Sequence, residues 1–141
     1  MSNLPPTDAA LAANREFYRA FNQRDVAAME ALWSAQQPIV CAHPGMAPLY
    51  GRDQVLASLR SVLVNPNAPN IRPEQEHAII TGNSALVICE EHVNNAVLVA
   101  TNVFVLEGDT WRMIHHHAGM RAPSTRAAEP PPAPSEKRTL H

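Results

Sequence analysis

The sequence predicts an α+β domain: a curled sheet whose concave face is covered by three N-terminal helices. Three observations carry this. Apolar residues recur at helical spacing through the first half of the chain. From Arg72 the period changes to two and holds to Gly119. Gly82-Asn83, Asn94-Asn95 and Gly108-Asp109 fall between the alternating runs as turn signals. Helices followed by closely linked strands give an antiparallel meander with segregated layers. Those layers close a pocket between sheet and helices.

Residues 1–7 read as an N-terminal arm. Thr7 or Asp8 is the expected cap of a first helix through "AALAANREFYRAFNQR". Leu11, Tyr18 and Phe21 mark its buried side, widened by Ala10, Ala13, Phe17 and Ala20. Asp25 caps a second helix, "VAAMEALW", which Pro38 ends. "IVCAH" is a short strand stopped by the loop "HPGMAP". Gly51 opens a third helix, "RDQVLASLRSVLVN", with Val55, Leu59 and Val62 or Leu63 buried and Asn65-Pro66 as its stop. Four strands follow: "RPEQEHAIITG", "SALVICEEHV", "AVLVATNVFVLEG" and "TWRMIHHHAG". The domain spans residues 8–121. Residues 122–141, with five of the 13 prolines and no apolar period, read as a flexible Pro-rich tail.

The 141 residues suffice for one domain, and 45% hydrophobic residues make it globular. Eleven Lys and Arg against 13 Asp and Glu give a formal charge of −2, which argues against nucleic acid as a partner. The longest apolar runs, such as "AVLVA", fall far short of the roughly 20 residues that span a bilayer, so no membrane partner is expected. "MSNLPPTDAA" lacks a basic segment followed by an apolar one, so no signal peptide is expected. Cys41 and Cys89 lie in apolar segments and read as buried thiols in a reducing compartment, which makes the cytoplasm the expected location.

The segments "FYRAFNQRDVAAMEALW", "PIVCAHPGMAPLYGRDQVLASLRSVL", "VICEE" and "TNVFVLEGDTWRMIHHHAG" resemble the SnoaL-like branch of the nuclear transport factor 2-like (ketosteroid isomerase-like) superfamily, over most of residues 8–120. The resemblance implies a cystatin-like cone with an internal pocket, and a homodimer through the sheet's outer face. Members of the superfamily include isomerases, dehydratases, cyclases, epoxide hydrolases and oligomerisation modules, so the fold carries no single reaction.

Strand alternation puts His115 and His117 on one face with Trp111 and Met113, and His116 on the other with Arg112 and Ile114. The resemblance makes His115 and His117 the pocket-facing pair and leaves His116 on the dimer side. A bulge would reverse that parity. Glu91 shares an inward face with Val87 and Cys89, where a carboxylate needs a partner, expected in His115 or His117. Asn102 lies inward with Leu98, Ala100 and Phe104.

His43 stands directly before Pro44. Ketosteroid isomerases of this superfamily place an aspartate general base before a proline at the matching spot, so the resemblance gives His43 the base's position, with an ordinary pKa suited to the task. The isomerases' oxyanion-binding tyrosine falls on Phe17, which cannot donate a hydrogen bond. Tyr18, about 100° further round the helix, is expected to point elsewhere, and Tyr50 is the expected substitute.

The catalytic candidates are therefore His43, Glu91, His115 and His117. The ligand-binding candidates are Phe17, Trp33, Cys41, Tyr50, Cys89, Asn102 and Phe104. Each has a plainer reading: His43 as a strand cap, Glu91 as a structural carboxylate, the cysteines and Trp33 as core. Two histidines with Glu91 or His43 have a spacing a metal triad can use, but it is unspecific, and no metal or cofactor is assigned. The functional expectation is a pocket for a small apolar or acidic metabolite, with cofactor-independent acid–base chemistry of the isomerase, lyase or hydrolase type. The alternative is a non-catalytic homodimer that binds a ligand or serves as a scaffold.

Overall fold

A computed structural model describes residues 4–122 and residue 131; apart from Ala122 and Pro131, the predicted tail lies outside the described residues. Three helices and six strands follow in the order α1 (Pro6–Asn22), α2 (Val26–Leu32), β1 (Val40–Ala42), β2 (Leu49–Tyr50), α3 (Arg52–Leu63), β3 (Arg72–Thr81), β4 (Ser84–Val93), β5 (Ala96–Glu107) and β6 (Thr110–Met120). The α+β class and the expected order of elements hold.

The helix boundaries differ in two places. The first helix begins at Pro6, so Thr7 and Asp8 lie in its first turn and neither caps it; Pro5 holds the cap position without a side-chain bond. Proline suits the first turn because the amide it lacks would have no helical partner there. Asp25 does cap α2, accepting from the Ala28 amide at 3.0 Å. That helix ends at Leu32, well before Pro38, because Trp33 turns extended and bridges Met113 while its ring enters the core. The Arg52 guanidinium at the start of α3 donates to the carbonyls of Glu30, Trp33 and Ser34, satisfying groups that the end of α2 leaves open.

The six strands form one sheet in the order β2-β1-β6-β5-β4-β3. The β3–β6 meander is antiparallel, with the three expected turns. The β1–β6 pair is parallel, a departure from the all-antiparallel expectation, because β1 is fed from the helical half of the chain. β2 has no counterpart in the sequence reading; two residues carry no period. An extra residue in β3, around Gln75 at φ 56°, and another at Ile114 in β6 interrupt the register. Such bulges bend strands, and the sheet is curved and unclosed. The helices cover its concave face, where Phe17, Phe21, Met29, Trp33, Leu59, Val87, Phe104 and Met113 form the core. Among the described residues, no helix is long and apolar enough to cross a membrane.

Candidate functional site

Between α1, α3 and the concave sheet lies a pocket of about 560 Å³. Phe17, Phe21, Leu59, Val62 and Leu98 give it apolar walls. Its polar lining is His43, Ser58, Ser61, Glu91 and His116. A hollow of about 530 Å³ between α1, α2 and the β5–β6 turn is lined by alanines together with Glu16, Asp109, Thr110 and Arg112, and holds no buried polar side chain. The buried polar side chains Glu91 and His116 line the first of these.

His43 reaches the pocket from the residue after β1. Its carbonyl accepts from the Met46 amide at 3.0 Å, with Pro44 and Gly45 (φ 73°) between them. This is a type II turn, which favours proline at its second position and glycine at its third. The turn holds His43 with Nε2 2.9 Å from Ser58 Oγ on α3. Burial pulls the His43 pKa below its ordinary 6.5.

The histidine triplet is the main correction to the expected site. Val103 pairs with His115, yet its successor Phe104 pairs with Met113, so Ile114 is the extra residue of the bulge. Trp111 and Met113 still face the core, but beyond Ile114 the inward residues are His116 and Ala118. His115 is half-buried and His117 exposed, both outside the pocket lining; the predicted inward pair is displaced by the residue placed on the opposite face.

His116 is 5% exposed. Its ring lies 4.9 Å from that of Phe17 and 6.5 Å from that of His43. Its Nδ1 stands 2.5 Å from Asn102 Oδ1. The Asn102 amide donates to Asn14 Oδ1 at 2.8 Å and to Tyr18 Oη at 3.1 Å, which leaves Oδ1 facing the imidazole as an acceptor. His116 therefore carries its proton on Nδ1 and presents a bare Nε2. Burial, with His43, His115 and His117 adding to it, pushes its pKa down to about 3. It is a fixed neutral acceptor.

Glu91 is inward, as its alternation in β4 predicts, and 2% exposed. Its partner is Tyr18, whose hydroxyl donates to Oε2 at 2.7 Å; His116 Nε2 stands 3.9 Å away, and neither His115 nor His117 takes part. Burial raises the Glu91 pKa, and the Tyr18 hydrogen bond opposes that rise. Tyr18 and Phe17 both lie in the buried stripe of α1, their rings edge-to-face at 5.0 Å, but of the two only Phe17 lines the pocket; the Tyr18 hydroxyl is taken up by Glu91 and Asn102. Asn14, one turn earlier, is a further site residue that the sequence reading misses. It donates to Glu76 Oε2 at 2.9 Å, and Arg15 pairs with that carboxylate at 3.1 Å. The only sequence signal for this network is two polar side chains, Asn14 and Tyr18, on an apolar helix face.

The other expected wall residues divide. Phe17 lines the pocket. Trp33, Cys41, Cys89, Asn102 and Phe104 are buried and do not line it, and Tyr50 on β2 is 64% exposed, so it supplies nothing to the interior. Burial pushes the Cys41 thiol up to about 12 and that of Cys89 up to about 11, so neither is a thiolate at neutral pH. Among the described residues, no three His, Cys, Asp or Glu side chains gather as metal ligands.

Residues 10–123 match the SnoaL-like domain. A candidate dehydratase of the NTF2-like family from Streptomyces avermitilis is 29% identical, with a TM-score of 0.76 over 82% of this chain and 96% of that one. A candidate calcium/calmodulin-dependent protein kinase type II association domain from Thiobacillus denitrificans is 30% identical, with a TM-score of 0.73 over 84% of this chain and all of that one (100%). The F-box protein SKIP8 of Arabidopsis thaliana is 24% identical over 116 residues, 81% of this chain; the match spans about half (50%) of that protein. The expected cystatin-like architecture is that of solved NTF2-like structures.

Proposed function

The chain belongs to the SnoaL-like domain family, and on that premise we propose that it is a cofactor-independent acid–base catalyst of the isomerase or dehydratase type, acting on a small molecule held in the pocket. One observation carries this reading. His43, Glu91 and His116 all line one apolar cavity, and their environments push each toward its neutral form. A neutral imidazole takes a proton and a carboxyl pushed toward its protonated form gives one, so the lining pairs a base with an acid.

His43 is the base. Its depression comes from burial alone, and Ser58 holds its ring at the wall. Glu91, kept toward its protonated form by burial, is the proton donor. The likeness to a candidate dehydratase supports the same class of chemistry.

The test is α-proton exchange in D₂O on a compact apolar ketone, 2-tetralone, followed by NMR. The chain should accelerate exchange, and His43→Ala should remove the acceleration. His115→Ala and His117→Ala should leave it intact. Exchange that survives in His43→Ala would discard the assignment.

We also propose a homodimer through the outer sheet face. Ile79, Ile88 and Val99 lie there at 44%, 37% and 42% exposed, and exposed apolar patches mark association sites. Sedimentation of the chain and of Val99→Lys tests it: a dimer should become a monomer.

A further inference from the structure

We propose that the pocket selects an uncharged apolar molecule carrying a hydroxyl group, which donates its hydrogen bond to Nε2 of His116, and that it excludes carboxylates. This rests on the reading of this pocket as the binding site, and it chooses between the apolar and acidic ligands that the sequence left open.

Two features carry the choice. First, the lining holds one acidic side chain, Glu91, and no Lys or Arg. An anion entering this apolar space would lose its water and meet no counter-charge. His116 does not supply one, because its burial and the surrounding imidazoles keep it neutral.

Second, the polarity of His116 is set from behind. Asn102 cannot turn its amide round. Its Nδ2 is committed to Asn14 Oδ1 and Tyr18 Oη, and rotation would place an NH₂ group against the Nδ1 proton and an oxygen against the Asn14 oxygen. Asn14 is itself held by Glu76 on β3. Nε2 therefore stays an acceptor, 3.9 Å from Glu91 Oε2, too far to be satisfied by that oxygen. A buried acceptor aimed at an apolar cavity calls for a donor on the ligand. His116 is then a specificity-determining contact, separate from the proton-transfer role given to His43.

The experiment compares three ligands of one shape, 2-naphthol, 2-methoxynaphthalene and 2-naphthoate, by NMR titration of the full chain at pH 7. The naphthol should bind saturably and about tenfold tighter than the methyl ether, the factor for one hydrogen bond worth roughly 1.4 kcal/mol. The naphthoate should show no saturable binding. In the unliganded chain, the ¹⁵N shifts of His116 should report protonated Nδ1 and bare Nε2, and only the naphthol should move the Nε2 signal. His116→Phe should erase the preference of the naphthol over the ether.

Naphthoate binding as tight as naphthol, equal binding of ether and naphthol, no binding of any of the three, or a protonated Nε2 would each overturn the proposal. Wild-type chain alone decides these outcomes, whether or not the variant folds. Equal binding of ether and naphthol, alongside His43-dependent exchange of 2-tetralone, would remove the hydroxyl preference and leave the catalytic reading standing. The reverse pattern would do the opposite.

Discussion

His116 donates through Nδ1 to the side-chain oxygen of Asn102 at 2.5 Å, and this contact settles which imidazole nitrogen faces the pocket. β5 and β6 are neighbours, and Asn102 and His116 are direct partners in their register. The pairing that builds the sheet thus also fixes the tautomer.

Asn102→Asp should reverse the electrostatics of that contact. A carboxylate against Nδ1–H favours the imidazolium, so the His116 titration should rise from about 3 toward the ordinary histidine range. An NMR titration of its Cε1 proton checks this. Stability should fall, since the new carboxylate no longer donates to Asn14 and Tyr18. An unmoved titration would mean that burial alone governs His116.

Tyr18→Phe should destabilise the fold by about 1–3 kcal/mol, the cost of leaving buried polar groups without a partner. The phenyl ring keeps the packing against Phe17 but removes the donor to Glu91 and the acceptor for Asn102. The Glu91 carboxyl should titrate higher still, because the bond that holds its pKa down is gone. Urea unfolding gives the first quantity, and carboxyl ¹³C shifts give the second.

Removing Ile114 should leave the chain folded with His116 still inward. Val103 and Phe104 are consecutive in β5 and already pair with His115 and Met113, so the deletion turns an interrupted ladder into a regular one. Ile114 packs partly against the core, so a loss of about 1–3 kcal/mol is expected. Thermal melts and the His116–Asn102 NMR contact check it. An exposed His116 in the deletion chain would show that the bulge lies elsewhere.

Much of this architecture is legible in residues 72–120. Strict alternation places Glu91 and Asn102 inward without knowledge of any partner, and the three turns are marked by Gly and Asn. The histidines are not legible in the same way. "RMIHHH" carries no glycine or proline to announce an extra residue, and a single insertion exchanges the two faces for everything after it. Tyr18 is legible as a buried residue, but its bonds to Glu91 and Asn102 are not. A helix lying across a concave sheet is covered over a wide arc, so residues 100° apart are both inward. His43 is legible through the resemblance, by its place directly before Pro44, whereas its contact with Ser58 depends on how α3 packs, which no local pattern encodes.

Acid should destabilise the protein well before its surface carboxylates protonate. The folded pKa of His116 is about 3 against an ordinary 6.5. Between those values the unfolded chain binds a proton that the folded chain refuses, so stability rises with pH through this window and is lost on acidification. From pH 6.5 to about 5, one such group contributes roughly 1.4 kcal/mol per pH unit at most. His43 and His115 are depressed too and act in the same direction. Glu91 acts against them: its raised pKa makes the folded chain hold a proton that the unfolded chain has released, which favours the fold at the acid end. Urea midpoints measured across this range should therefore fall with acid in the wild-type chain and fall less steeply in His116→Gln. Parallel slopes would mean that His116 binds its proton equally in both states, and that the neutral acceptor is absent.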